Sequence, residues 1–404
     1  AYPPEIRSSS TLMKELAVGL VDRGYEVSVL ATYPSYNLTD EDRDRFARKA
    51  SNLVMQEHGV RVIRVPTPAL HNIGSIRKGL AQVILPLILA MAGACLKRVD
   101  AIIVYSPPIT LGLAAAALKA RFGARVVFNA QDLFPQNAVD LGVLRNPALI
   151  RMFEEIEAAS FRGADVVTCH SEGNIDWLRR HPALRKRPGD VRLVHNWVDI
   201  DGYRNSAADR SVRRRLGLEG KFVFFFGGVM GFAQELDTVI DAARRLEDDA
   251  DIAFLLVGDG VEKAGLERRA RGLENVVFHP FIPPDQYVTW LKAMDVGLVT
   301  LRAEMKTPVV PSKILGFMAA GVPYLALLNR ESDARAITRD GGCGVIVDPG
   351  DVEAVVRACR RLASDRAGAR RMGARGLDYC RRNFSKDGCI DKYDRILQSF
   401  SRKR

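Results

Sequence analysis

Two segments of the chain carry residues that could bind a phosphate group, and the first is rich in glycine. In FFFGGVMGFAQEL (224–236), Gly227, Gly228 and Gly231 follow an apolar run and precede a helical pattern. Glycines at such a junction let the backbone approach an anion at the positive end of a helix. The spacing is neither GxGxxG nor GxxxxGK(S/T), so neither a dinucleotide fold nor a P-loop is predicted. Tight strand-to-helix turns without a ligand are the alternative interpretation.

The second segment, TPVVPSKILGFMAAGVPYLAL (307–327), contains a lysine at the start of a predicted helix. The helix should begin near Pro311 or Ser312 and end at Gly321. Lys313 then lies in the first turn, where the helix dipole disfavours a cation unless an anion is bound there. We therefore expect Lys313 to contact phosphate. A solvated lysine on an exposed helix face is the alternative.

Both segments lie within a long alternation of strand and helix patterns, which predicts parallel α/β sheets. Two domains are expected: 1–199, then 200–377, with a basic helix over 378–404 that packs back on the first domain. Because doubly wound sheets bind ligands at the carboxyl ends of their strands, we expect the active site in a cleft between the two domains. The predicted strands are 25–32, 60–66, 101–107, 124–130, 164–171 and 191–196, then 222–228, 253–260, 276–281, 296–301, 323–328 and 344–349.

Composition narrows the possible partners and the compartment. The chain has 404 residues, 47% of them hydrophobic, and a net charge of +11, so it should fold and attract anions. Its basic residues are dispersed and no binding module is visible, so nucleic acid is not expected as a partner. Six cysteines without a CxxC pair, and six histidines without ligand spacing, disfavour a disulfide framework and a metal site. Scattered thiols and the lack of a signal peptide indicate the cytoplasm.

One apolar segment raises the question of a membrane. GLAQVILPLILAMAGACL (79–96) contains Gln82 as its one polar side chain, is interrupted by Pro86 and has basic residues on both flanks. A patch that dips into the inner face of the membrane, burial in the core of the first domain, and a true span are the three interpretations. On the first of them Leu85 and Leu89 contact lipid.

Seven motifs are spread over nearly the whole chain. They are YPPE (2–5), QDLFP (131–135), NWVD (196–199), GGVMGFAQELDTVIDA (227–242), VGDG (257–260), PSKILGFMAAGVP (311–323) and GCGVIVDPGD (342–351). In this order they resemble the motifs of retaining glycosyltransferases of family 4 with the GT-B fold, in the branch that builds capsule, O-antigen and colanic-acid-type polysaccharides. The resemblance implies two Rossmann-like domains that face each other across a cleft. It also implies metal-independent transfer of a sugar from a nucleotide diphosphate donor to a hydroxyl acceptor.

Three departures from the family pattern affect the expected site. The apolar strand that usually precedes the PPE segment is absent, through truncation or loss, and residues 6–10 replace a glycine pair of the acceptor loop. The usual EX7E carboxylates would fall at Pro308 and Gly316, so Glu304 or Glu331 is expected to substitute. The usual Arg and Lys are missing from 227–243, which leaves Lys313 and backbone N–H groups to hold the diphosphate.

The resemblance also assigns roles outside these phosphate segments. Asp132 stands where the family often has a His-Asp pair, and it should orient the acceptor hydroxyl or take its proton, with Gln131 beside it on the acceptor side. A cap of the helix that starts near Phe134 or Pro135 is the alternative role for Asp132. His170 ends a predicted strand and is either an acceptor-side residue or a satisfied core histidine. Phe281 or Ile282 should pack on the nucleobase, unless this is ordinary packing after a strand.

The expected protein is therefore a hexosyl- or N-acetylhexosaminyl-transferase that needs no cofactor. Its partners would be a nucleotide-sugar donor, with UDP favoured, a polyprenyl-diphosphate-linked glycan acceptor and the inner surface of the cytoplasmic membrane. Two other functions stay open. The missing EX7E pair suggests a degenerate scaffold in a polysaccharide assembly complex, and a nucleotide-sugar 2-epimerase could share the fold.

Overall fold

The structure is a computed structural model that describes residues 2–5, 7–34, 38, 41, 42, 44, 46, 54–66 and 75–401, with the backbone alone at 75–83, 284, 285 and 401. The chain divides into two compact units. Unit 1 comprises residues 1–136, 144–196 and 386–404, and unit 2 comprises 137–143 and 197–385. The chain passes into unit 2 at Trp197, and the stretch 200–221 contains two helices of that unit.

Unit 1 contains a three-stranded and a four-stranded sheet. The three-stranded sheet has the order β1-β3-β2, in which β1 and β3 are parallel and β2 is antiparallel to β3. The four-stranded sheet has the order β4-β5-β6-β7, and all its strands are parallel. The predicted strands of this half are all present, and the short β2 was not predicted. The strands are β1 (Ser28–Thr32), β2 (Val54–Glu57), β3 (Val60–Val65), β4 (Ala101–Ser106), β5 (Arg125–Ala130), β6 (Val166–Cys169) and β7 (Val191–Leu193).

Six helices of the described chain belong to unit 1, and one of them is C-terminal. This last helix packs on the first one, where Tyr25 Oη donates to Asp394 Oδ1 at 2.7 Å and Arg23 pairs with Asp391. Tyr393 is buried and its hydroxyl lies 3.5 Å from that of Thr168. The helices are α1 (Ser8–Val21), α2 (Ser75–Ala94), α3 (Leu111–Phe122), α5 (Pro147–Gly163), α6 (Glu172–Arg180) and α16 (Lys386–Ser401), and α4 (Gln136–Asp140) belongs to unit 2 except for its first residue.

Unit 2 is built on a six-stranded parallel sheet in the order β10-β9-β8-β11-β12-β13. Alternate side chains of β8 enter two different buried clusters, Phe224 and Phe226 on one face and Val223 and Phe225 on the other. Helices therefore cover both faces, as the unbroken apolar run of this strand predicts. The strands are β8 (Phe222–Val229), β9 (Ile252–Asp259), β10 (Val276–His279), β11 (Val296–Thr300), β12 (Tyr324–Leu327) and β13 (Gly344–Val347).

Each strand of this sheet is followed by a helix whose N-terminus lies at the carboxyl edge of the sheet, where the candidate donor residues lie. The helices of unit 2 are α7 (Ile200–Asn205), α8 (Ser211–Arg215), α9 (Leu236–Arg245), α10 (Lys263–Arg269), α11 (Pro284–Leu291), α12 (Lys313–Ala320), α13 (Ala334–Gly341), α14 (Val352–Ser364) and α15 (Arg366–Asn383).

The apolar segment 79–96 forms most of α2, which continues through Pro86. One face of α2 is buried in the core of unit 1, and the other face is exposed. Leu85 and Leu89 are buried at 2% and 9% exposure, so they belong to the core and are not the lipid contacts expected above. Leu87 and Met91 are 60% and 70% exposed. Within the described part of the chain, no helix is both long and apolar enough to cross a bilayer.

Candidate functional site

The glycine segment of unit 2 is held by close backbone packing. Gly228 has φ 144° and Gly258, its partner on β9, also has φ 144°, a conformation that side-chain-bearing residues rarely adopt. A Cβ on Gly258 would lie 1.8 Å from the carbonyl oxygen of Gly228. The glycines of the GG and VGDG motifs therefore let β8 and β9 approach each other. Gly227 is required by packing as well, because a Cβ there would lie 2.8 Å from the ring of Tyr287.

Gly228 also makes room for Lys313. A Cβ on Gly228 would lie 2.8 Å from Lys313 Cε and 3.1 Å from Nζ. Lys313 is the first residue of α12, as the sequence predicts, and its ammonium lies 4.8 Å from the centre of the Phe226 ring. The lysine stem thus lies against bare backbone at the point where β8 reaches its carboxyl end.

The electrostatics at Lys313 are unusual for a lysine. Among the described residues it makes no hydrogen bond and no ion pair, and its side chain is half-buried. Desolvation lowers the pKa of its ammonium from 10.5 to about 8. A partly desolvated cation at a helix N-terminus is unfavourable in the free protein, so a bound anion would relieve an existing cost.

Arg302 brings a second cation to the carboxyl edge of this sheet, and it was not predicted as a site residue from the sequence. It follows β11, and its backbone N–H donates to the carbonyl oxygen of Ala233 at 3.1 Å. Its guanidinium lies 3.6 Å from Asp237 and 3.8 Å from Glu262, and its Nε is buried without a hydrogen-bond partner. The stretch 227–243 contains no Arg or Lys, but the neighbouring strand supplies one. Its position directly after a predicted strand was the available signal.

The two glutamates that could replace the missing carboxylate lie on loops at the carboxyl ends of β11 and β12. Glu304 and Glu331 are both exposed. Asn329 Nδ2 donates to Glu331 Oε2 at 3.2 Å and also to the carbonyl oxygen of Met305, which ties the two loops together. Glu331 is thus held in place by Asn329.

The packing around Gly316 leaves no room for the carboxylate that the family usually has at this position. Gly316 lies in the buried part of α12. A Cβ there would lie 3.0 Å from Tyr203 Oη, so a longer side chain would collide with the tyrosine. Tyr203 of α7 therefore occupies the space that a glutamate at this position would need.

Phe281 lies on the loop after β10, the edge strand of the sheet. Its side chain is 47% exposed, whereas Ile282 packs against the core. Of the two candidates, Phe281 is therefore free to stack on a base. Along the carboxyl edge, the candidates follow the strand order, with Phe281 after β10, Gly228 in β8, Arg302 after β11 and Glu331 after β12.

In unit 1, Gln131 belongs to a network of side-chain amides. Its Nε2 donates to Asn129 Oδ1 at 3.0 Å and to Asn196 Oδ1 at 2.9 Å, and Asn196 Nδ2 donates back to Gln131 Oε1 at 2.7 Å. The network joins the carboxyl ends of β5 and β7, just where the chain leaves unit 1. Gln131 is thereby engaged in holding the backbone beside Asp132. Asn196 was not among the predicted site residues, although it is the first residue of the NWVD motif.

Asp132 has the features of an available carboxylate. Its side chain is exposed, and among the described residues it makes no hydrogen bond or ion pair, including none to the helix that begins at Gln136. Desolvation by surrounding protein atoms nevertheless raises the pKa of this carboxyl above its ordinary value. Burial first, and then the charge of Asp132, raise the pKa of the Tyr105 phenol, which places Tyr105 near Asp132.

His170 is an interior residue that stays neutral. It is 8% exposed, and desolvation first, with His195 second, lowers its pKa to about 4. Asn174 Nδ2 lies 3.4 Å from its Nδ1, and His195 Nδ1 lies 2.8 Å from its carbonyl oxygen. These contacts suit a positioning role better than proton transfer at neutral pH.

These features define the class of protein. Two parallel α/β sheets, each with its candidate residues at the carboxyl edge, are the architecture of GT-B glycosyltransferases. The structure resembles sucrose-phosphate synthase from Thermosynechococcus elongatus, with a TM-score of 0.75 and 17% identity over 98% of this chain and 94% of that one. It also resembles Anabaena HepE in complex with UDP-glucose, with a TM-score of 0.68 and 16% identity over 99% and 97% of the two chains.

Sequence comparisons identify the family. The model described as "Glycosyl transferase 4-like domain" matches residues 9–214, more than half of the chain, and "Glycosyl transferases group 1" matches 220–365. The chain therefore belongs to the family 4 glycosyltransferases.

Two curated relatives share much of the chain. It is 27% identical over 403 residues to the putative colanic acid biosynthesis glycosyl transferase WcaI of Escherichia coli strain K12, which covers 93% of this chain and 94% of that protein. It is 26% identical over 294 residues to the probable glycosyltransferase WbjE of Pseudomonas aeruginosa, which covers 70% and 71%.

Proposed function

We propose that this glycosyltransferase moves a sugar from a nucleotide diphosphate donor, with a UDP-sugar favoured, to a hydroxyl of a polyprenyl-diphosphate-linked glycan. The reaction would belong to surface polysaccharide biosynthesis and would retain the anomeric configuration. Relatives whose names refer to colanic acid and to lipopolysaccharide core biosynthesis support the pathway class. A structural neighbour solved with UDP-glucose supports the donor class.

One observation carries the donor half of the proposal: Lys313 is a half-buried cation without an acidic partner among the described residues. Desolvation already lowers its pKa to about 8. Such a site favours an anion, and the diphosphate is the anionic part of every nucleotide-sugar donor. Gly228 lets the lysine approach the sheet. Arg302, which is paired with Asp237 and Glu262, lies beside the loop that contains Gly231. Phe281 supplies an exposed ring for the base.

The chemistry follows from these assignments. The acceptor oxygen forms a bond to the anomeric carbon while the bond from that carbon to the phosphate oxygen breaks. Lys313 stabilises the negative charge that develops on the leaving diphosphate. Asp132 orients the acceptor hydroxyl, and the hydroxyl proton passes to the departing phosphate in a front-face displacement, as the family resemblance implies. Gln131 and His170 hold the backbone and the neighbouring strands in position.

The proposed location is the inner face of the cytoplasmic membrane, with peripheral attachment. A polyprenyl-linked acceptor has its lipid in the bilayer, so a transferase that works on it gains from staying near that surface. The exposed apolar residues of α2 support such an attachment.

The experiment is a transfer assay across a panel of UDP- and GDP-sugars, with lipid-linked acceptors extracted from bacterial membranes. We expect nucleotide release that depends on acceptor, and its near loss in Lys313→Met but not in the control Lys221→Met. Interconversion of the donor without an acceptor would instead identify an epimerase. Donor binding without turnover across the whole panel would instead identify a scaffold.

A further inference from the structure

Unit 2 includes a short stretch of chain from the first half of the sequence. Residues 137–143, which we call the crossing segment, lie between β5 and α5 in the chain but belong to unit 2. They form the end of α4 and the turn that follows it, in which the backbone N–H of Val143 donates to the carbonyl oxygen of Ala138 at 2.9 Å. Asp132 precedes the crossing segment by five residues. The stretch that carries this carboxylate therefore continues directly into unit 2.

The crossing segment binds the loop of residues 301–312, which connects β11 to α12. Thr307 Oγ1 donates to Asn137 Oδ1 at 2.6 Å. The backbone N–H of Lys306 donates to Asp140 Oδ2 at 3.2 Å. Two side chains of the segment thus hold two consecutive residues of the β11–α12 loop.

The crossing segment holds the middle of this loop, and other loops of unit 2 hold it on either side. Asn329 Nδ2 donates to the carbonyl oxygen of Met305, and Ser332 Oγ donates to that of Val309 at 2.6 Å. Within the described part of the chain, the hydrogen bonds that residues 306–307 make outside their own loop both go to the crossing segment. The position of these two residues therefore depends on a segment from the other half of the sequence.

The hydrogen bond between Thr307 and Asn137 is costly to lose because it is buried. Thr307 is 2% exposed, so water cannot easily replace Asn137 as the partner of its hydroxyl. A buried hydroxyl that loses its acceptor shifts the equilibrium between a held and a released loop by about 5- to 150-fold. This one bond is therefore strong enough to decide where the loop lies.

We infer that Asn137 and Asp140 are positioning residues that set the β11–α12 loop for donor binding. The loop runs directly into Lys313, so its release would disturb the backbone that enters α12 at this residue. A released loop must also be ordered again when the nucleotide binds, and the affinity falls in proportion to the fraction released. The inference rests on the proposed function in taking Lys313 as a ligand of the diphosphate.

The test combines hydrogen–deuterium exchange of the free protein with calorimetric titration of UDP. Asn137→Ala and Thr307→Val should each speed amide exchange over residues 303–310 by at least about fivefold and raise the Kd for UDP by at least about threefold. The double variant should lose no more affinity than either single variant, because both changes remove the same bond. Asn137→Asp keeps the acceptor and Thr307→Ser keeps the donor, so these variants should restore both quantities.

Two further variants separate positioning from general stability. Thr338→Val is the matched control, because it removes another buried threonine hydroxyl of unit 2, which donates to the carbonyl oxygen of Ala334 within α13 at 2.6 Å. It should lower stability and leave loop exchange and UDP affinity unchanged. Asp140→Ala should speed exchange at the Lys306 amide, and Asp140→Asn, which keeps an acceptor oxygen, should restore it.

Two results would overturn the inference. Unchanged exchange over residues 303–310 in Asn137→Ala would show that the crossing segment does not hold the loop. Faster exchange with an unchanged Kd for UDP would make the bond a structural contact without a role in donor binding. If the wild type binds UDP but transfers no sugar, a loss of UDP affinity in Asn137→Ala would keep the positioning role and reject the proposed reaction.

Discussion

Replacing Lys313 by methionine should stabilise the free protein and weaken nucleotide binding at the same time. The methionine keeps most of the stem that lies against Gly228 and removes the charge. Desolvation lowers the pKa of Lys313 from 10.5 to about 8, which corresponds to about 3 kcal/mol of folding free energy at pH 7. A charge-assisted hydrogen bond to phosphate contributes about 1.5 to 3 kcal/mol, so the Kd for UDP should rise about 10- to 150-fold.

The pH dependence gives the sign of each effect. Below pH 8 the lysine is protonated in both the folded and the unfolded chain, so the stability gain of the variant is complete there. Between about pH 8 and 10.5 the unfolded chain binds more protons than the folded one, so the wild type regains stability and the difference shrinks. The wild-type affinity for UDP should fall by up to about tenfold per pH unit above pH 8, because the free site loses its charge. The variant should show no such fall.

The assays are thermal unfolding and calorimetric titration with UDP, each at several pH values from 7 to 10. Lys221→Met, which removes a lysine elsewhere in unit 2, is the control and should move neither quantity. A variant with lower stability and unchanged UDP affinity would refute the reasoning, since Lys313 would then be a structural residue of α12. Equal losses of affinity for UDP and for uridine would also refute a phosphate contact.

Three further outcomes are expected. Asp132→Asn should lower the transfer rate and leave donor affinity unchanged. Acid–base groups typically contribute about 10²- to 10⁴-fold in rate, and the loss here should lie toward the smaller end of that range. A loss of donor affinity equal to the loss of rate would instead assign Asp132 to donor binding. Gly228→Ala should lower the free energy of unfolding in urea by about 1 to 3 kcal/mol and weaken UDP binding, because the methyl displaces Lys313. The control Gly265→Ala, in a helix with space for a methyl, should slightly raise the stability of the protein. An unchanged UDP affinity in Gly228→Ala would contradict the contact. The pKa of His170 is lowered from 6.5 to about 4, so the folded chain should lose stability as the pH falls from 6.5 to 4. In urea titrations, His170→Asn should reduce the dependence of the unfolding free energy on pH over this range. An equal dependence in both proteins would contradict this prediction.

The fold was readable from the sequence because its central strands are buried on both faces. Runs such as FVFFF leave no polar face, and their alternation with amphipathic helices specifies parallel sheets. The short β2 escaped prediction because it is a half-exposed antiparallel strand with mixed side chains. The helices α7 and α8 were not predicted, because they are short and polar and look like a loop in sequence.

Residue types and motif order determined the family and the position of a lysine at a helix start, since both depend on local spacing. Tertiary structure decided how these residues are used. The surroundings of Lys313, its approach to Gly228 and the hydrogen bond from Arg302 to the glycine loop all depend on contacts between segments far apart in the chain. No local pattern encodes such contacts. The same holds for α2. The sequence shows that this helix is apolar, but only its packing against α3 and the sheet shows which of its apolar residues are buried and which are exposed.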